Sequence, residues 1–350
     1  MESHKEKKVS RNASPAAFGC EFQVNAAIML ILRNIRDMTS VVIEGEHEDI
    51  EVALGSNRTL YCQAKAHFNA NCPGDGSTTR LNEAMITLAE AVAQCDCSQV
   101  IFATNDPMPF GKRISANNFG RDSFFEYHEL EQNQQDYIEE VAQKVGFPTS
   151  ALNRCAFFVF HFFGSDESTR YEKVNDAIRN FLGNLGTRDA LLIPPEQLRG
   201  IWYEMLDFNS SVKPEEETKT VTKKKFIWPL VFELVDLPST KIPIEEIDED
   251  DWEEAQSRYK IVVNAQSERF DVFTRIATDY AEYCKTNRLS SCEAKKRFFE
   301  KYWQKYVDLL GAGSIPEIEG KMAYTCLVMA KVIKKRETIT EVKNAVNLRD

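Results

Sequence analysis

The chain has 350 residues, 43% of them hydrophobic and 28% charged, which is enough apolar material for a real core and excludes global disorder. The formal net charge of -11 excludes a nucleic-acid binder that works through a bulk excess of Lys and Arg, so any basic surface is local or supplied by a partner. The nine cysteines (Cys20, Cys62, Cys72, Cys95, Cys97, Cys155, Cys284, Cys292, Cys326) are odd in number, and Met1–Arg11 is polar with no apolar stretch behind it. Both features point to free thiols in a reducing, cytoplasmic compartment. The Cys95-Asp96-Cys97 spacing is too short for a zinc knuckle. No apolar run reads as the roughly 20 residues of a membrane span, so no membrane partner is expected.

In chain order, residues 1–14 read as a flexible N-terminus. Phe18, Phe22, Ala26, Met29 and Ile35 recur at helical spacing and predict a helix over 17–35. Three strands follow, at 41–44, 49–54 and 59–66, with Gly55-Ser56-Asn57 turning between the last two. A polar loop over 68–76 leads to Ser77, a candidate N-cap, and Leu81, Met85, Leu88, Ala89 and Val92 give the next helix its apolar face. Residues 99–104 (QVIFAT) predict a strand buried on both sides. Beyond a long irregular stretch come a helix at 132–144, an apolar strand at 155–163 and a helix at 171–182.

The expected fold is α/β: a mixed sheet flanked by helices over 15–209. Residues 210–225 (SSVKPEEETKTVTKKK) read as a linker or exposed loop. After a short apolar segment at 226–237 and an acidic run at 245–254, helical patterns at 252–285, 291–310 and 321–335 predict a mainly α-helical domain over 226–350. Assembly or regulation is the expected role of that domain.

The residues that suggest chemistry lie in EGEHEDIEVALGSNRTLYCQAKA, which starts at Glu44. Residues two apart on a strand share a face, so Gln63 and Lys65 project together while Cys62, Ala64 and Ala66 face the other way. A hairpin brings Asp49, at the start of one strand, beside Gln63 and Lys65 near the end of the next. A hard cation such as Mg²⁺ takes oxygen ligands, which Asp49 and the Gln63 amide can supply. Lys65 can stabilise charge that develops on a phosphate. Together these residues make a kit for phosphodiester hydrolysis.

This pattern resembles the PD-(D/E)xK nuclease superfamily in its QxK variant. The run Phe18-Gly19-Cys20-Glu21-Phe22-Gln23 is similar to the start of the double-stranded DNA nuclease domains of bacterial antiphage defence, including CBASS nucleases and HerA-associated nucleases. Ala103-Thr104-Asn105, after an apolar strand, resembles the same family. The likeness covers roughly residues 15–190. It implies a restriction-endonuclease-like sheet and a catalytic set of Glu21, Asp49, Gln63 and Lys65, with Glu21, Asp49 and Gln63 holding Mg²⁺ or Mn²⁺. It also implies double-stranded DNA as substrate, and control through a homo-oligomer or a HerA-type ATPase. Gln63 stands where the standard motif has an acid, which lowers the charge of the metal site; Glu21, or Glu51 as a spare, would restore it.

Gln23, Glu51 and His67 are candidate accessory residues, each with an ordinary role as helix surface, strand face or loop. Lys112, Arg113 and Arg121 are candidate contacts to the DNA backbone, or simply a solvated loop. His161, in a Phe-rich strand, reads as a core group. No GxxxxGK[ST], GxSxG or HExxH motif occurs, so ATP hydrolysis by the chain itself is not expected. The competing readings are a non-catalytic DNA-binding or scaffold subunit with a degenerate nuclease fold, and a module whose C-terminal helices sense a nucleotide.

Overall fold

The computed structural model describes residues 14–69, 71–114, 119–120, 122–164, 166–213, 216, 219–236, 250–251, 253–255, 269–287 and 289–348, with backbone alone at 291–292. The described chain is α/β with a helical C-terminal part, as expected. It divides into two compact units. The first comprises Met1–Asn34, Met38–Ala177 and Tyr203–Thr220, and the second Ile35–Asp37, Ile178–Trp202 and Val221–Asp350.

In the first unit, α1 (Ser14–Asn34) precedes β1 (Met38–Ile43), β2 (Ile50–Leu54) and β3 (Arg58–Ala64). Then come α2 (Ser77–Gln94), β4 (Cys97–Thr104), β5 (Asp122–Glu126), α3 (Gln132–Val145), β6 (Cys155–Phe160), α4 (Glu167–Arg170) and α5 (Glu172–Gly183). Helices α5 and α6 (Pro195–Ser210) are each divided between the two units. The sheet order is β5-β6-β4-β3-β2-β1. The meander β1-β2-β3 is antiparallel, with Ile43 opposite Ile50 and Ile50 opposite Cys62. β4 lies parallel to both β3 and β6, and β5 closes that side antiparallel to β6. Parallel neighbours need a crossover, and α2 and α3 supply the helices for it.

Apolar residues cover both faces of the sheet. Tyr61, Val100, Phe102, Phe157 and Val159 pack with Leu81, Met85 and Leu88 of α2 and Ile138 and Val141 of α3. On the α1 side, every residue from Phe22 to Ile31 is buried, and Phe22 stacks on Phe160 at 4.9 Å. This helix is long and apolar enough to cross a membrane by length and composition, contrary to the expectation that no segment is. Its apolar residues are spent largely on the sheet, with 61% of the span buried.

Several local expectations change. Ser77 is not the N-cap of α2; Gly76 holds that position with φ 69°, and the Ser77 hydroxyl donates to Asp106 instead. β6 stops at Phe160, short of the expected Phe163. β5 lies inside the stretch read as irregular, where DSFFE pairs with β6 and Arg33 sits 3.8 Å over the Phe124 ring. The α6 helix has no counterpart in the predicted elements. The expected flexible segment lies outside the described residues up to residue 13, and Ser14 already begins α1.

The second unit contains a two-residue strand, Val221–Thr222, and the helices α7 (Lys223–Asp236), α8 (Arg269–Thr286), α9 (Ser291–Tyr306), α10 (Ile318–Lys334) and α11 (Arg336–Ala345). Its core is aromatic. Trp202 stacks on Phe226 at 4.3 Å and donates its indole N–H to the Phe226 carbonyl, and Phe298 packs against Tyr280 and Tyr283. Lys219 and Lys223, in the segment read as an exposed linker, are both buried. Lys223 Nζ donates to the carbonyls of Arg36 and Val346, which satisfies a charge that burial would otherwise penalise. The expected helix over 252–285 is described from Arg269, and residues 245–249 and 252 of the acidic run lie outside the described residues.

Candidate active site

The site lies where the meander meets the parallel pair. Continuing the β2–β3 register past Ile50–Cys62 puts Asp49 across from Gln63. The Asp49 Oδ2 atom accepts from Gln63 Nε2 at 2.5 Å and from the Ala64 backbone N–H at 2.9 Å. Burial raises the Asp49 carboxyl pKa above its ordinary value, offset in part by the Ala64 N–H and by the positive charge of Lys65. Lys65 is half-buried just beyond β3, with its backbone held between the Ala103 carbonyl and the Thr104 hydroxyl.

Gln63 is buried and faces α2, where its Oε1 accepts from the Thr87 hydroxyl at 2.8 Å. It therefore turns its amide nitrogen, not its oxygen, toward Asp49. A hydroxyl both donates and accepts, so a half-turn of the amide would bring Oε1 to Asp49 and leave Nε2 bonded to Thr87. Sequence reasoning missed Thr87, and nothing in the α2 pattern marks it, because its partner is 24 residues away.

Glu21 does not join this group. Its carboxylate is held by Arg170, at 3.0 Å, and by the Tyr171 hydroxyl. Arg170 is 5.6 Å over the Phe18 ring. Gln23, by contrast, is central: its amide donates to Glu44 Oε1 and to the Asp49 carbonyl, tying α1 to the turn that carries Asp49. Glu51 is occupied in that turn, where Oε1 accepts from the backbone N–H groups of His47 and Glu48. A Cβ on Gly45 would lie 2.3 Å from the same Glu51 oxygen, so a side chain there would make the Glu51 carboxylate shift. Lys219 donates to the Ser210 carbonyl. Burial lowers its pKa, and the charges of Glu44 and Glu51 counter that fall.

His67 is buried and bonded through Nε2 to the Cys72 carbonyl, so it supports a loop and is not presented to a substrate. Lys112 is exposed and ion-paired with Asp75 at 2.6 Å. Arg113 is exposed, and Arg121 lies outside the described residues. Asn105 and the unpredicted Asp106 pin the loop after β3. Asn105 bonds the backbone of His67 and the Phe162 carbonyl, and Asp106 accepts from Gly74, Ser77, Arg80 and Met108.

One acid that sequence reasoning passed over stands next to Asp49. Glu48 is 4% exposed, and neither of its carboxylate oxygens has a hydrogen-bond partner among the described residues. Burial pushes its pKa up to about 8, aided by the negative charges of Asp49, Glu51 and Glu90 and opposed by Lys65. The adjacency in HEDI was the available signal, but an acid at a turn ordinarily faces water.

The cofactor implied by the family resemblance is a divalent cation. Asp49 fits it, as an acid in a desolvated setting whose negative charge Lys65 only partly balances. The three-ligand set of Glu21, Asp49 and Gln63 is not assembled. Among the described residues no three Asp, Glu, His or Cys side chains converge in metal-binding geometry. A Mg²⁺ ion commonly takes only one or two carboxylates and leaves its other positions to water and substrate phosphate, so the smaller donor set is compatible with it.

No protein-family model and no curated protein matches the chain. Among solved structures it is similar to a Cap4 SAVED/CARF-domain containing receptor from Moraxella osloensis, with 16% identity, 70% of this chain covered and a TM-score of 0.35. The chain spans 60% of that receptor chain's length, and a likeness at this level carries no functional conclusion.

Proposed function

We propose that the chain is a Mg²⁺- or Mn²⁺-dependent nuclease that hydrolyses phosphodiester bonds of double-stranded DNA, as an effector of bacterial antiphage defence. The observation that supports it is the contact of Asp49 with Gln63 and with the Ala64 N–H at the end of β3, where the positive charge of Lys65 acts on a desolvated carboxylate. Asp49 would hold the cation, with the Gln63 amide oxygen after its half-turn on Thr87. The bound cation would supply Lewis-acid polarisation of the phosphate. Lys65 donates to a phosphate oxygen and stabilises the charge that develops there. Gln23 fixes the Asp49 backbone so that its carboxylate stays in place. A free nuclease endangers its own host, so the proposal includes gating by a homo-oligomer or an ATPase partner of HerA type.

The test is plasmid cleavage by the full chain with Mg²⁺, Mn²⁺ or EDTA. Asp49→Ala and Lys65→Ala should each reduce cleavage at least about 100-fold, the scale lost with one preorganised charge-stabilising group. Cleavage that persists in both variants removes the site assignment. A wild type that binds DNA but never cuts it, with either cation, supports the scaffold reading. That reading is favoured by Glu21 being held by Arg170 and Tyr171.

A further inference from the structure

We propose that Glu48 is a second carboxylate ligand of the divalent cation, bound beside Asp49. The inference rests on the nuclease reading above and names a residue outside the expected ligand set. Three observations carry it. Both Glu48 oxygens are buried and lack partners, a state that is costly for a carboxylate unless a positive charge answers it. The backbone of the turn is hydrogen-bonded on both sides of the residue: Glu48 N–H donates to Glu51, Glu48 C=O accepts from Gly45, and Glu44 N–H donates to the Asp49 carbonyl. The backbone that carries the side chain is therefore held, while its own oxygens have no donor among the described residues. Finally, Lys65 is the only cationic group among those whose charges act most strongly on Glu48, against the carboxylates Asp49, Glu51 and Glu90.

A structural explanation would provide Glu48 with an arginine or a set of backbone N–H donors, as Asp106 has in Arg80, Gly74 and Met108. Glu48 has neither. A hard dication with oxygen ligands is the group that two adjacent carboxylates beside a phosphate-hydrolysis site would bind. Asp49 and Glu48 would give a net charge of -2 before Lys65, which restores the charge lost by the Gln63 replacement without recruiting Glu21.

The experiment measures Mn²⁺ binding to the full chain by calorimetry or electron paramagnetic resonance, with melting temperatures recorded in EDTA. Glu48→Gln keeps the shape and removes the charge. It should weaken Mn²⁺ binding about tenfold or more, as should Asp49→Asn, on the scale of losing a ligating or supporting group. Glu48→Gln should melt no lower than wild type in EDTA, because it removes a carboxyl whose ionisation burial opposes. Glu48→Asp, which keeps the charge, should bind Mn²⁺ more tightly than Glu48→Gln. Undiminished binding by Glu48→Gln, with binding lost in Asp49→Asn, overturns the role of Glu48 and leaves the nuclease reading intact. A Glu48→Gln chain that is less stable in EDTA also overturns it, since the carboxylate would then serve the fold. A wild type that binds no Mn²⁺, even with DNA present, overturns both.

Discussion

Burial of Glu48 and Asp49 should make the folded chain lose stability as pH rises through the neutral range. Both carboxyls are raised by burial, Glu48 from 4.5 to about 8. Below 4.5 the group is protonated in both the folded and unfolded states, and its contribution to stability is fully present. Between 4.5 and 8 the unfolded chain has released the proton and the folded chain retains it, so stability falls as pH rises. In EDTA, the urea midpoint should therefore be lower at pH 8 than at pH 6. The decline per pH unit from one such group is at most about 1.4 kcal/mol. Glu48→Gln should flatten that slope, and an unchanged slope would place its origin elsewhere.

At the scale of elements, the end of β3 is positioned by its parallel neighbour. Thr104, Asn105 and Asp106, the last residue of β4 and the two after it, hold the backbone at Lys65, His67 and Gly74 and the Ser77 hydroxyl by hydrogen bonds. Asp106 is fully buried and bonded to Arg80 at 2.6 Å. Asp106→Ala would strand that arginine and several backbone N–H groups, at a cost of about 3 kcal/mol. Equilibrium denaturation would measure the loss, and a change under about 1 kcal/mol would show that the loop holds without this anchor. The same replacement should reduce cleavage through disorder at Lys65, although Asp106 touches no reacting group.

For the whole molecule, the tryptophans among the described residues (Trp202, Trp228 and Trp303) all fall in the second unit, and the described strands of five or more residues all fall in the first. Tryptophan fluorescence therefore reports one unit, and the amide infrared band of β-structure the other. Chains of this length commonly depart from two-state unfolding. The two signals should give separate urea midpoints, and Asp106→Ala should lower the infrared midpoint more than the fluorescence one. Coincident midpoints would show a single cooperative molecule. The acidic net charge bears on DNA binding at this scale, because Lys112 is already paired with Asp75 and, among the described residues of that loop, Arg113 is left as the exposed cation.

By itself the sequence determined the class of the fold and the neighbourhood of the site. Alternating strands, a Gly-Ser-Asn turn and the shared face of Gln63 and Lys65 are local patterns, and a hairpin converts them directly into the Asp49–Gln63 contact. The core strands at 99–104 and 155–160 were legible for the same reason, since a run of apolar residues needs no distant partner to be recognised. Tertiary structure decided everything that depends on packing between distant segments. It gave Glu21 to Arg170 and Tyr171, nearly 150 residues away, and gave Gln63 to Thr87. It buried Lys219 and Lys223 in a stretch whose composition reads as solvated, and it paired the short strand β5 that no periodicity marked. Most of all it enclosed Glu48, because whether an acid at a turn meets water or protein is set by what folds over it and not by its neighbours in sequence.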